Sequence, residues 1–98
     1  MMNCSFSSGQ LIIKGELQVA FLDSLMDCLE KALPLDQAVE VDLSRVEAVD
    51  VAGLQALLAF IRGRQDVGPL KFTGTPPIFH KALEITGLKD DFAEYIAS

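Results

Sequence analysis

The sequence predicts an α/β fold with its helices mainly on one face of a mixed sheet, and three observations carry that expectation. Apolar residues recur with period two in some segments and with period 3.6 in others. The two kinds of segment alternate along the chain, and strand–helix–strand succession implies right-handed parallel crossovers. Each strand also alternates apolar with polar residues. A parallel sheet covered on both sides would read as continuous Val, Ile and Leu, so the second face of this sheet should be at least partly solvated. The 98 residues make one domain, 1–98, with four to five strands and about four helices.

Asn3 to Ser7 reads as a short first strand, closed into a hairpin by a turn at Ser8, Gly9 and Gln10. In the next strand Leu11, Ile13 and Leu17 share one face, and Lys14 and Glu16 the other. Gly15 inside that strand predicts a bulge or close packing from above. From Val19 the period changes. Leu22, Leu25, Met26, Leu29 and Leu33 form one helical stripe, and Pro34 stops the helix. Val39, Val41 and Leu43 alternate with Glu40 and Asp42, which predicts a strand followed by a short polar link. A second helix is expected over about Ala52 to Gly63, ended by Gly63 or Gly68. Leu70 and Phe72 mark the last strand. Thr75-Pro76-Pro77 opens a third helix with Thr75 as its N-cap, and Gly87 is placed for a left-handed C-terminal cap. Lys89 to Ala97, with Phe92 and Ile96 at i, i+4, predicts a short final helix. Phe92 and Tyr95 read as a lid on the sheet or first helix.

Composition narrows the function classes. Half of the residues are apolar, enough for a core in a chain of this size, and the formal net charge is -6. An acidic domain without a basic patch repels nucleic acid and anionic membranes at long range. No stretch is long and apolar enough to span a bilayer, so direct membrane insertion is not expected. The first residues, MMNCSFSSGQ, lack a basic segment followed by a long apolar run, which points to the cytoplasm. Two cysteines do not make a disulfide framework. Cys28 lies among apolar helix positions and reads as a buried thiol, and neither it nor Cys4 has a neighbour at metal-ligand spacing. No metal, cofactor or catalytic set is expected. His80 is the only histidine and reads as a surface or half-buried residue without a nucleophile to serve. Gly63, Gly68 and Gly74 do not compose a phosphate loop, because the Gly-Lys-Ser/Thr core is absent.

The most informative stretch runs from Val39 to Ile61 and enters its helix at Asp50-Val51-Ala52-Gly53. A helix N-terminus suits a phosphate group, yet neither Val51 nor Ala52 carries a hydroxyl. Asp50 is placed to cap the helix and complement its dipole. On a helical wheel Leu54, Leu57, Phe60 and Ile61 cluster on one side. Gln55, Ala59 and Arg62 lie opposite, flanked by Val51, Ala52 and Leu58. The polar side is thin, leaving an apolar strip near the helix N-terminus that either packs under a neighbouring loop or docks a partner.

These residues resemble the signature of STAS domains, the family of bacterial anti-sigma-factor antagonists and anion-transporter C-terminal domains. The resemblance rests on Val41-Asp42-Leu43-Ser44 followed by Asp50-Val51-Ala52-Gly53-Leu54. Upstream, Ile13-Lys14-Gly15-Glu16-Leu17 resembles the family's Gly-Glu-Leu-Asp strand end, and downstream Ile85-Thr86-Gly87-Leu88 its late helix end. The resemblance implies the fold and a protein-binding role. Val51 stands where the sporulation antagonists carry their phosphorylated serine, so it is a degenerate phosphosite position. Gln18 stands where they usually carry an aspartate. The expected docking site is Ser44, Arg45, Asp50, Val51, Ala52 and Gln55, in a non-enzymatic regulatory module without the phospho-switch. The resemblance implies two partner classes: an anti-sigma factor or serine-kinase-like ATPase, or the ATPase of an ABC-type phospholipid transporter of which this would be the small STAS subunit. The exposed apolar helix would equally suit the seam of a homodimer. A small α/β enzyme is the third alternative, and it requires a deep polar pocket holding perturbed acids or His80.

Overall fold

In a computed structural model describing residues 2–96, the chain forms four strands and four α-helices. Their order is β1 (Asn3–Ser7), β2 (Gln10–Leu17), α1 (Leu22–Ala32), β3 (Val39–Val49), α2 (Val51–Arg64), β4 (Leu70–Thr73), α3 (Pro77–Thr86) and α4 (Lys89–Ala93). A single turn of 3-10 helix, Val19–Phe21, leads into α1. The sheet order is β1-β2-β3-β4, with β1 antiparallel to β2 and the other pairs parallel. The alternation expected of one covered and one open face is present: Leu11, Ile13, Leu17, Val39, Val41 and Leu43 are fully buried, while Gln10, Lys14 and Lys71 are exposed.

The helices cover the sheet with the stripes their sequences encode. Leu25, Cys28 and Leu29 of α1 are buried, as are Leu54, Leu57, Phe60 and Ile61 of α2. Leu58, placed on the flank of the exposed side from the sequence, is also buried. Phe72, Phe79 and Phe92 pack as one aromatic cluster with centroids 5.7–6.4 Å apart, inside the range where tilted ring pairs attract. Phe92 is therefore core, not lid. Gly87 adopts the left-handed conformation (φ 75°) and its N–H reaches the carbonyls of Leu83 and Glu84, closing α3 as expected. The final helix is shorter than expected, ending at Ala93, and Ile96 instead forms a bridge beside Phe72. The end of the expected helix, Ala97, lies outside the described residues.

Three expectations need correction. First, no polar link separates β3 from α2: the strand continues through Ser44 and Arg45 to Val49. The register against β2 slips twice, between Ile12 and Lys14 and between Gly15 and Glu16. An extra residue at a bulge shifts the alternation phase, so a single strand reads as a strand followed by a turn. Gly15, at φ 92°, sits at the second slip, where a side chain would be strained. Second, Thr75 does not cap α3. Pro76 holds the cap position without a side-chain bond, and Thr75 Oγ1 pairs with His80 Nε2 at 2.8 Å. Third, Cys28 is not a free thiol. It is bonded to Cys4 of β1, with Cα atoms 6.2 Å apart, because the hairpin folds the N-terminal strand back beside α1.

One charged residue is buried among the described residues. Arg64, at the end of α2, is 1% exposed. Its guanidinium donates to the carbonyls of Ala32 and Leu33 at the end of α1, to those of Leu35 and Gln37 in the following loop, and to that of Pro69 before β4. Burial lowers its pKa from the ordinary guanidinium value. The five acceptors replace much of the water its terminal nitrogens give up, although the buried Nε has no partner among the described residues, and they satisfy the Ala32 and Leu33 carbonyls at the end of α1.

Candidate functional site

The parallel strands β2, β3 and β4 end at one edge of the sheet, and each delivers the chain there into a helix. In an open α/β sheet that carboxyl edge is where ligands and partners meet the fold. Its organising residue is Asp50. The Oδ1 atom accepts the Gly53 N–H at 2.9 Å, the N-cap bond of α2, and Oδ2 accepts the Val19 N–H at 3.0 Å. The Asp50 N–H in turn donates to the Leu17 carbonyl at 3.0 Å. One carboxylate thus satisfies a free donor at the start of α2 and pins the turn after β2 against it. The sequence reading of Asp50 as a cap holds, and the bond to Val19 adds a second role.

Gly53 explains the Asp-x-x-Gly spacing. A Cβ at this position would lie 2.2 Å from the Leu17 carbonyl oxygen and 2.6 Å from its carbon. Both are backbone atoms that cannot rotate aside, so only glycine lets the first turn of α2 lie directly on the end of β2. The pair therefore does mechanical work: Asp50 orients the helix and Gly53 allows its approach.

Above this junction the surface is apolar. Val51, directly after Asp50, is 50% exposed, and Val19, whose N–H the Asp50 carboxylate accepts, is 64% exposed. Ala52 is half-buried and Gln55 exposed on the same end of α2. Ile78, in the first turn of α3, is also exposed. Among the expected site residues, the structure brings Asp50, Val51, Ala52 and Gln55 together. It does not bring Ser44 and Arg45 to them. Those residues lie six and five positions before Asp50 on an extended strand, up to about 20 Å away at ~3.3 Å per residue. There they line an open concavity with Lys14, Gly15 and Glu47. The Ser44 N–H donates to Asp42 Oδ1 at 2.9 Å. This bond first, then the Ser44 hydroxyl, holds the Asp42 carboxyl below its usual value, with a smaller pull from Arg45.

Val19 was not among the residues singled out for docking from the sequence. It opens a 3-10 turn with no helical or strand period, and its partner Asp50 is 31 residues away. Its only local signal is an apolar residue directly after the strand-ending Leu17-Gln18. Gln18 itself takes the extended N-cap position of the turn and makes no side-chain cap bond. His80 is exposed on α3 and paired with Thr75. Among the described residues no group of three or more His, Cys, Asp or Glu could hold a metal ion, and no helix is long and apolar enough to cross a membrane.

Comparison with known proteins agrees with this geometry. A family model described as "Mlab, STAS domain" matches residues 2–96. Among solved structures, an anti-sigma factor antagonist from Mycobacterium paratuberculosis is similar at TM-score 0.73 and 19% identity, over 94% of this chain and 81% of that one. An anti-sigma-factor antagonist (STAS) domain protein from Planctomyces limnophilus is similar at TM-score 0.71 and 14% identity, over 99% and 88%. A sulfate transporter family protein from Wolinella succinogenes is similar at TM-score 0.62 and 19% identity, over 94% and 79%. No curated protein matches. At these identities the solved structures establish a shared fold, and the family model spans nearly every residue: this chain belongs to the STAS domain family.

Proposed function

We propose that this domain is a non-enzymatic regulatory module that binds another protein through the carboxyl edge of its sheet, and that it does so without a phospho-switch. The observation that carries the reading is that Val51 and Val19 are both exposed and that their backbone segments are tied together by Asp50. Two valines left half in water, where burying the rest would stabilise each by roughly 1 kcal/mol, are natural anchors for a partner. The docking set is Val19, Asp50, Val51, Ala52 and Gln55. Val51 offers no hydroxyl for phosphate, so the family's phospho-switch has no acceptor at this position.

The partner class we favour is an anti-sigma-factor-like ATPase in the cytoplasm, supported by the likeness to two antagonist structures. The matched family model is described as Mlab, not as an antagonist, and that keeps a second reading: a small STAS subunit docked on an ABC-transporter ATPase. Both readings use the same surface. The test is a binding titration of the purified domain with each ATPase, using wild type, Val51→Asp and the distant control Glu84→Gln. Val51→Asp places a charge on the anchor and should weaken binding at least about tenfold, while the control should bind as wild type. Unchanged affinity in Val51→Asp for the ATPase that binds would remove this surface as the contact.

A further inference from the structure

We infer that the Cys4–Cys28 disulfide is a redox-responsive lock setting how firmly α1, and with it the Val19 side of the docking edge, is held. The inference rests on the docking reading above and adds a means of regulating that surface. It begins from where the bond lies. β1 is an outer strand of the sheet and α1 is the helix that follows the hairpin, so the disulfide ties an edge strand to the middle of α1. α1 needs such a tie. It has no side-chain N-cap bond, and it starts from the 3-10 turn that Asp50 holds through Val19. Its C-terminal carbonyls hang on Arg64. The helix is thus fixed at its start, middle and end by three long-range links, and the middle one is reversible chemistry.

The bond is also reachable. Cys28 is buried but Cys4 is only partly so, and the two border an open cleft of about 340 Å³ lined by Ser5, Ser24, Asp27 and Lys31. Cys4, the less buried half, is the side of the bond nearer solvent. Lys31 and Asp27 place opposite charges at the cleft, so access governs the exchange rather than one activating charge. The reductant is a dithiol. One of its thiolates attacks Cys4 Sγ, forming a mixed disulfide and releasing Cys28 as a thiolate that takes up a proton. The second thiol then attacks the mixed disulfide and releases Cys4. The protein gains two electrons and two protons, and the dithiol leaves as its own disulfide.

The sequence separation is 24 residues. Opening a loop of that size lowers the folding equilibrium constant by roughly a few-hundred-fold. A domain of ordinary stability remains folded after that loss, so reduction loosens the molecule without unfolding it. In the cytoplasm, where the proposed function places this domain, a disulfide is usually transient and redox-sensing and not a permanent staple.

The experiment is hydrogen exchange with mass-spectrometric thiol counting on the whole chain, oxidised in a buffer of oxidised glutathione and reduced in one of dithiothreitol, beside a Cys4→Ser/Cys28→Ser variant. The two thiols should appear and vanish together. Reduction should speed exchange of amides in 19–32 at least about tenfold and leave β3 and α2 the slowest-exchanging elements, their own rates rising by no more than the roughly few-hundred-fold loss of global stability. The serine variant should show the reduced pattern in both buffers. Two thiols that stay free under oxidising buffer overturn the inference. So does exchange that ignores reduction, which makes the bond a static staple, and so does global unfolding on reduction. No readout involves a partner, so failure here leaves the Val51→Asp test standing, and failure of that test leaves this result intact.

Discussion

Removing the Asp50 carboxylate tests the geometry of the proposed docking edge most directly. Asp50→Ala deletes two bonds at once. The N-cap bond to Gly53 N–H at 2.9 Å stabilises by about 1 kcal/mol in comparable helices. The bond to Val19 N–H at 3.0 Å is also charge-assisted and links segments 31 residues apart. Asp50 is only half-buried, so water partly replaces the lost acceptor, and a further ~1 kcal/mol is the expected loss. Asp50→Ala should therefore destabilise by about 2 kcal/mol. Asp50→Asn discriminates further. Its amide oxygen still serves one donor, but its NH2 group then faces the other N–H, and two donors cannot bond each other. The asparagine variant should lose about 1 kcal/mol, between wild type and alanine. Urea unfolding reads both values as midpoint shifts at constant slope, about 1–2 M for the alanine variant if the slope is near 1–2 kcal/mol/M. Hydrogen exchange at the Val19 amide should rise in Asp50→Ala, and at either the Val19 or the Gly53 amide in Asp50→Asn. A loss under about 0.5 kcal/mol in Asp50→Ala, or an asparagine variant less stable than alanine, would refute the two-donor account.

Arg64→Met leaves the carbonyls of Ala32, Leu33, Leu35, Gln37 and Pro69 without their donor; the expected loss is about 3 kcal/mol or more, seen as a melting temperature lower by at least ~10 °C, with Arg64→Lys recovering part of it. A melting temperature within a few degrees of wild type would show that water serves those carbonyls equally well. For Asp42 the folded-state pKa is depressed, chiefly by the Ser44 N–H. Its stabilisation is therefore present above the ordinary carboxylate range, about pH 4, and is lost as pH falls through the lower folded value. The stability gap between wild type and Asp42→Asn should be constant from neutral pH to about 5 and shrink below about 4; a gap as wide at pH 3 as at pH 6 would exclude Asp42 as its source.

Much of the fold was legible because its signals are local. The period switch at Val19, the Pro34 stop and the Gly87 cap each act within a few residues, and each lies where the sequence reading put it. Gly15 was readable as a bulge, but the other slip, between Ile12 and Lys14, has no glycine and hid the continuation of β3 through Ser44 and Arg45. The same error drew Ser44 and Arg45 into the expected docking site. The remaining misses share one cause: their partners are distant in sequence. Arg64 reads as an ordinary basic residue in a helix's last turn, yet its acceptors in the α1 region lie 27 to 32 residues away. Cys4 and Cys28 carry no spacing signal. Val19 gains meaning only through Asp50.

That division has a physical consequence for how the domain works. Apolar periodicity builds a sheet and a helical layer, but hydrophobic contacts are non-directional and tolerate small slides of one helix over another. What fixes α1 in register is directional: a carboxylate at its start, a covalent bond at its middle and a guanidinium at its end. The proposed docking edge is assembled from the lead-in to α1 and the first turn of α2, so its shape depends on those links as well as on the core beneath it. A partner that reads Val19 and Val51 together reads their separation, and Asp50 is what sets it. Val51 has no hydroxyl, so under the proposed function any control of this surface acts elsewhere than at Val51, and of the three links only the disulfide can be made and broken under native conditions.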